Sequence, residues 1–330
     1  MKRRTVLQIA GLFVASPKAA FAQAAKRYRV GWVNASRAAD ATTSPVIRRI
    51  IDEFRARMAE RGYVEGKNLV IDIRFAEGDA TRFPALADEL IALKPDVLIG
   101  VQTTARAVAA KTKTIPIVLL TSIDPVGAGL VQSLARPGTN VTGMVDLYDQ
   151  LVAKHVELLL EIVPKASRLG LLIDPNWSAR QSFEDYAQKA ATAKRLTLTV
   201  AAAANANEVK HAFDEFEKKR VEILVTSSAA TLFAWRNEIM AETRRLRLPV
   251  IFGNDQFTDS GGLLSYGGDF LGNFREVAEF IDQIFKGAKP ADLPLRQTAK
   301  FQLVINLKTA REIGVTIPQT LLFRADRVIE

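Results

Sequence analysis

Six short segments gather the side chains best able to hold a small polar molecule. They are Asn34-Ala35-Ser36, Gln102-Thr103-Thr104, Thr121-Ser122-Ile123-Asp124, Asp174-Pro175-Asn176-Trp177, Ser227-Ser228 and Asn254-Asp255-Gln256-Phe257. Together they offer hydroxyls, amides, several carboxylates and two aromatic rings. That mixture suits a ligand with a polar end and an apolar end. Covalent and metal chemistry are poorly served. The chain has no cysteine, which removes disulfides, thiolate zinc sites, iron–sulfur clusters and thiol nucleophiles. Its two histidines, His155 and His211, fall in separate predicted helices with no Ser or Asp partner in reach, so neither a triad nor a multi-histidine metal site is expected. Gly127-Ala128-Gly129 lacks a third glycine and does not open its helix, and no Walker motif occurs. The expectation is a non-enzyme with no cofactor and no metal.

Most of these residues bear two readings. Gln102, Thr103 and Thr104 sit between a predicted strand and a predicted helix, where free N–H groups and hydroxyls can hold a carboxylate. Thr103 or Thr104 could equally cap the helix. Asp124 precedes Pro125, which reads as the N-cap of a helix over 125–135. It could instead accept a hydrogen bond from a ligand ammonium, with Ser122 beside it. Asp255 is a second carboxylate for an amine, or a turn residue. Trp177 follows a strand in a Pro-Asn-Trp turn, which suits stacking on a ligand, and Phe257 could wall a cleft. Trp32 lies inside a strand and reads as core, as Trp235 reads as helix packing. The expected ligand-binding set is Asn34, Ser36, Gln102, Thr103, Thr104, Ser122, Asp124, Trp177, Ser227, Asp255 and Phe257.

The elements that must position this set alternate. Strands are expected at 29–35, 69–75, 97–101, 115–120 and 141–145, with helices between them. Ile47, Ile50, Ile51, Phe54 and Met58 mark one helical face. The pattern then restarts. Strands are expected at 169–173, 196–202, 223–226, 249–252 and 262–266, with helices at 151–163, 179–195, 208–219 and 229–245. Phe274, Val277, Phe280, Ile281 and Ile284 mark a further amphipathic helix. Such alternation predicts an α/β fold of two doubly wound, mostly parallel lobes. Ligands bind beyond the carboxyl ends of parallel strands, so two facing lobes would share one cleft. All six polar segments follow predicted strands. The Pro-rich stretch 286–297 reads as a crossover between lobes.

The 330 residues carry 45 basic and 36 acidic side chains, a net charge of +9. Part of that charge belongs to an address. Lys2, Arg3 and Arg4, an apolar run over 6–14 and Ala20-Phe21-Ala22 have the order of a cleaved export signal over 1–22. Arg3-Arg4 also fits a twin-arginine signal. The apolar run is too short to span a bilayer. Without the four basic residues of 1–22, 41 basic face 36 acidic residues. Such a balance gives no reason to expect a nucleic-acid partner. A periplasmic, monomeric protein is expected.

Several blocks together resemble the ABC-transporter substrate-binding proteins of the tryptophan/tyrosine-binding type. They are Gly62-Tyr-Val-Glu-Gly-Lys-Asn, Asp124-Pro-Val-Gly-Ala-Gly-Leu-Val, Ser133-Leu-Ala-Arg-Pro-Gly-Thr-Asn-Val-Thr-Gly, Gly261-Gly-Leu-Leu-Ser-Tyr-Gly, Lys286-Gly-Ala-Lys-Pro-Ala-Asp-Leu-Pro and Phe301-Gln-Leu-Val-Ile-Asn-Leu-Lys-Thr-Ala. The resemblance implies a type I periplasmic binding fold with three crossings between lobes. It places 27–145 and about 262–290 in lobe 1, and 146–261 and about 291–330 in lobe 2. It implies capture of an amino acid, aromatic or branched, by hinge closure. Delivery would be to an inner-membrane ABC permease driven by a separate ATPase. The alternative is a sensor presenting a small aromatic or carboxylic acid to a membrane receptor.

Overall fold

The computed structural model describes residues 26–146, 148–298 and 300–330, with Tyr148 and Asp149 described by their backbone only. The export signal expected over 1–22 lies outside the described residues. The chain begins with β1 (Tyr28–Asn34), α1 (Asp40–Thr43), α2 (Pro45–Glu60), β2 (Leu69–Phe75), α3 (Phe83–Ala92), β3 (Val97–Val101), α4 (Gln102–Lys111), β4 (Ile117–Thr121) and β5 (Val141–Val145). It continues with α5 (Val152–Ile162), β6 (Arg168–Ile173), α6 (Arg180–Lys194), β7 (Thr197–Ala202), α7 (Ala206–Lys218), β8 (Ile223–Thr226), α8 (Ala230–Ala234), α9 (Arg236–Arg245) and β9 (Val250–Phe252). Then come α10 (Asp255–Asp259), β10 (Leu264–Gly268), α11 (Phe270–Phe285), β11 (Arg296–Gln297), β12 (Phe301–Asn306), α12 (Leu307–Ile313), α13 (Gln319–Arg324) and β13 (Arg327–Ile329).

Two sheets form, in the orders β11-β5-β4-β3-β1-β2 and β13-β12-β10-β9-β8-β6-β7. The first is parallel throughout; in the second, β12 runs antiparallel to β10. Buried runs such as Val97–Gly100 and Ile223–Thr226 are what strands covered on both faces require.

Helix α2 shows how sequence sets a lobe. Ser44 caps it by accepting from the Ile47 N–H, Pro45 supplies a preset φ at its first turn, and Ile47, Ile50, Ile51, Phe54 and Met58 are buried. Across the lobe, α11 is capped by Asp269, whose carboxylate accepts from the Gly272 N–H at 2.8 Å. Its Phe274 joins Trp32 of β1 and Phe54 of α2 in an aromatic cluster with ring centroids 5.8–6.1 Å apart. This apolar contact pulls α11 back onto the first sheet after the chain has left it.

Sheet membership therefore differs from the expected boundaries. β10 pairs with β9 and β12 in the second sheet, not the first. The return to the first sheet starts at α11 and runs through Arg296–Gln297, which pairs with β5. The chain crosses between the sheets after β5, between β10 and α11, and between β11 and β12.

One expected helix is absent. Residues 125–129 form turns instead. Gly129 takes φ +68°, and the backbone closes short turns on the carbonyls of Asp124 and Pro125. Two glycines in five residues raise the entropy cost of a helix beyond what this exposed loop can offset. The expected helix over 229–245 is broken at Trp235 into α8 and α9.

Candidate functional site

The carboxyl ends of both sheets open on one cavity of about 120 Å³. Of the expected ligand set, Asn34, Ser36, Gln102, Thr103, Ser122 and Trp177 line it. The first lobe adds Trp32, Ile47, Ile50, Leu120 and Asp146, and the second adds Ser228, Phe233, Asn254 and Gln256. Phe270, at the start of α11, closes the remaining side. The parallel topology explains this convergence, because each of β1, β3, β4, β5, β6, β8 and β9 delivers its next residues to the same edge.

Helix α4 points its start at the cavity. Val101 precedes it without any side-chain cap, and Thr104 Oγ1 donates back to the Val101 carbonyl at 3.1 Å. The threonines thus leave the first-turn N–H groups of α4 uncapped. Such N–H groups and the helix dipole favour an anionic group. Gln102 is held from three directions. Its Oε1 accepts from Ser122 Oγ at 2.9 Å and from the Ile123 N–H at 2.7 Å, and its Nε2 donates to Ser178 Oγ of the second lobe at 2.8 Å.

Asp174 supports the opposite wall. It is 2% exposed, accepts from the Asn176 N–H at 2.7 Å, and accepts from Thr231 Oγ1. Its backbone carbonyl accepts from the Trp177 N–H. Burial pushes its carboxyl pKa up, against the two hydrogen bonds. The loop carrying Trp177 and Ser178 is thereby tied to α8, which carries Phe233. Trp177 itself is buried and meets Phe183 edge to face.

Five expected residues are not brought to the cavity. Thr104 is turned back on β3, as described. Asp124 is exposed and accepts from the Gly127 N–H at 2.8 Å, holding its own turn. Ser227 is fully buried behind the strand end, its N–H bonded to the Leu172 carbonyl. Asp255 opens α10 on the far side of the loop, where it pairs with Arg327 at 3.1 Å. Burial and the neighbouring Asp259 push its carboxyl pKa up, while Arg327 opposes them. Phe257 is core, stacked on Phe252 with centroids 4.7 Å apart.

Asp146, Phe233 and Phe270 escaped the sequence reading. Asp146 follows β5 directly, so the strand-end rule itself could have found it. Phe233 is the fourth of the five residues of α8 and Phe270 the first of α11, and neither carries a comparable signal. Trp32, expected as core, both packs in the core and lines the cavity.

The lining has a simple charge pattern. Among the described residues that line it, Asp146 alone carries a formal charge. Ser228 Oγ, Asn254 Oδ1 and Gln256 Nε2 are buried and make no hydrogen bond among the described residues. Trp32, Trp177, Phe233 and Phe270 give the cavity aromatic walls. No group of three or more His, Asp or Glu among the described residues could hold a metal ion.

Comparison with known proteins is consistent with this geometry. The family model described as ABC transporter substrate binding protein matches residues 42–329. The tyrosine-binding protein of Clostridioides difficile (strain R20291) is 25% identical over 267 residues, which cover 79% of this chain and 75% of that protein. Among solved structures, a conserved domain protein from Vibrio cholerae superposes with a TM-score of 0.82 at 29% identity, covering 92% of this chain and 100% of that one. The ABC domain from Streptococcus pneumonia in complex with L-Trp superposes with a TM-score of 0.81 at 26% identity, with the same coverage.

Proposed function

Since the chain belongs to the ABC transporter substrate-binding protein family, whose members are non-catalytic and extracytoplasmic, we propose that it captures an amino acid with an aromatic or large apolar side chain for an importer. The observation that carries this reading is the cavity lining. It has one carboxylate, no cationic side chain, the uncapped start of a helix and four aromatic rings.

A zwitterion meets each of these. Its carboxylate sits at the start of α4, where N–H dipoles replace a cation. Its ammonium faces Asp146 in a charge-assisted hydrogen bond. Its side chain lies among Trp32, Trp177, Phe233 and Phe270. Ser228, Asn254 and Gln256 of the second lobe have unused polar atoms for the same ligand. A free aromatic acid has no ammonium to offer Asp146 and would bring a second negative charge into the cavity.

The ligand docks against strand ends of one lobe, and the other lobe closes on it by hinge bending. The expelled water strengthens the buried polar contacts. The closed form is then presented to a membrane permease, and a separate ATPase drives transport. Calorimetry of the exported form against L-Trp, L-Tyr, L-Phe, L-Leu and their deaminated acids tests the reading. Binding to at least one of these amino acids, and at least tenfold weaker binding to its deaminated acid, supports it. Binding to the acids alone, or to none of these amino acids, refutes it.

A further inference from the structure

On the rim of the cleft, outside the cavity lining, residues of the first lobe meet one turn of the second. Arg236, the first residue of α9, is 2% exposed, and its Nη1 donates to Asp40 Oδ2 of α1 at 3.0 Å. Asp40 is itself 7% exposed. Next to this pair, Arg37 Nη1 lies 3.3 Å from Glu238 Oε1, and the Arg37 guanidinium sits 5.3 Å from the centre of the Trp235 ring. Gly78 approaches that same indole. A Cβ on Gly78 would stand 2.8 Å from the ring, and its φ of +76° already favours glycine.

Arg236 also reaches the ligand cavity through its neighbour. Its Nη1 donates to the Phe233 carbonyl at 3.1 Å, and its guanidinium lies 4.9 Å from the centre of the Phe233 ring. Phe233 lines the cavity. One guanidinium therefore touches a wall of the ligand site on its own lobe and a carboxylate on the other lobe.

We propose that Asp40 and Arg236 form an interlobe clamp that sets how long the ligand is held, with Arg236 positioning Phe233 against the ligand when Asp40 is docked. The proposal rests on the hinge-closure reading. A guanidinium this buried is costly without its carboxylate. When the lobes part, both groups regain water. When they meet, each supplies what the other has lost. The pair therefore distinguishes the closed from the open state, which is what a ligand-coupled equilibrium requires of any contact that biases it. Neither side chain lines the cavity, so the clamp acts on closure and not on ligand choice.

The test uses the full exported chain as wild type, Asp40→Asn, Arg236→Gln and the double variant. Release and binding of L-Trp and L-Tyr are followed by stopped-flow fluorescence. Each single variant should bind about 30-fold or more weakly, mainly through faster release. The double variant should be no weaker than the weaker single one. The melting temperature of ligand-free Asp40→Asn should stay close to wild type, because without that carboxylate the lobes part and Arg236 regains water. Unchanged release from Asp40→Asn, or effects that multiply in the double variant, overturns the clamp. Should Arg236→Gln fail to fold, Asp40→Asn alone decides. If wild type binds neither of these, release of L-Phe or L-Leu is followed instead, and if it binds none of the four the ligand reading fails separately. The clamp is then read by small-angle scattering, where Asp40→Asn should be more extended than wild type and equal radii overturn it.

Discussion

Gln102 of the first lobe and Ser178 of the second share a hydrogen bond of 2.8 Å beside the ligand cavity. The same amide receives Ser122 Oγ and the Ile123 N–H on its oxygen, so its orientation is fixed. One 5%-exposed side chain thus links the start of α4, the end of β4 and the facing lobe.

Gln102→Ala would strand the Ser122 hydroxyl and the Ile123 N–H. The expected loss of stability is about 1–3 kcal/mol, seen as a lower urea midpoint. Gln102→Glu keeps the acceptor but removes the donor to Ser178 and adds a negative charge beside the start of α4. It should weaken amino-acid binding by about tenfold or more. Equal affinity in Gln102→Glu and wild type, read by calorimetry, would remove this residue from the binding account.

Asp146 and Asp255 make a discriminating pair. Both follow strand ends of the sheets, but only Asp146 faces the cavity. Asp146→Asn should weaken amino-acid binding by about 10- to 150-fold, the worth of a hydrogen bond to a charged group. It should change binding of a deaminated analogue much less. Asp255→Asn should instead loosen the contact with Arg327 and lower the melting temperature, with affinity unchanged. The reverse result would move the ammonium site to Asp255.

The contrast between these two residues shows what the sequence could carry. Alternation of strands and helices was legible, and with it the rule that strand ends make the site. That rule places Asn34, Gln102, Ser122 and Trp177 at the cavity. It does not say which of two adjacent side chains faces inward. α10 starts at Asp255, so Asn254 and Gln256 face the cavity while Asp255 and Phe257 turn away. Asp124 misled differently. Its Pro-containing run reads as a helix start, but Gly129, at φ +68°, lets the chain turn instead. Ile47, Phe233 and Phe270 are apolar residues on helices packed against the core, and nothing in their spacing separates a cavity wall from core.

His155 supplies a pH prediction apart from the ligand. It is fully buried on α5, and its Nε2–H donates to the Tyr266 carbonyl at 2.6 Å. Burial pushes its pKa down to about 4, against an ordinary value of 6.5. Between those values the unfolded chain takes up a proton that the folded chain refuses. The stability contribution is therefore complete above pH 6.5 and is lost as pH falls toward 4. The whole loss is on the order of 3 kcal/mol, and about 2 kcal/mol of it should appear between pH 7.5 and 5. Urea unfolding across that range measures it. His155→Gln, which keeps a donor for Tyr266, should be less stable at pH 7.5 but should lose most of the slope. A slope that survives in His155→Gln would place the titrating group elsewhere.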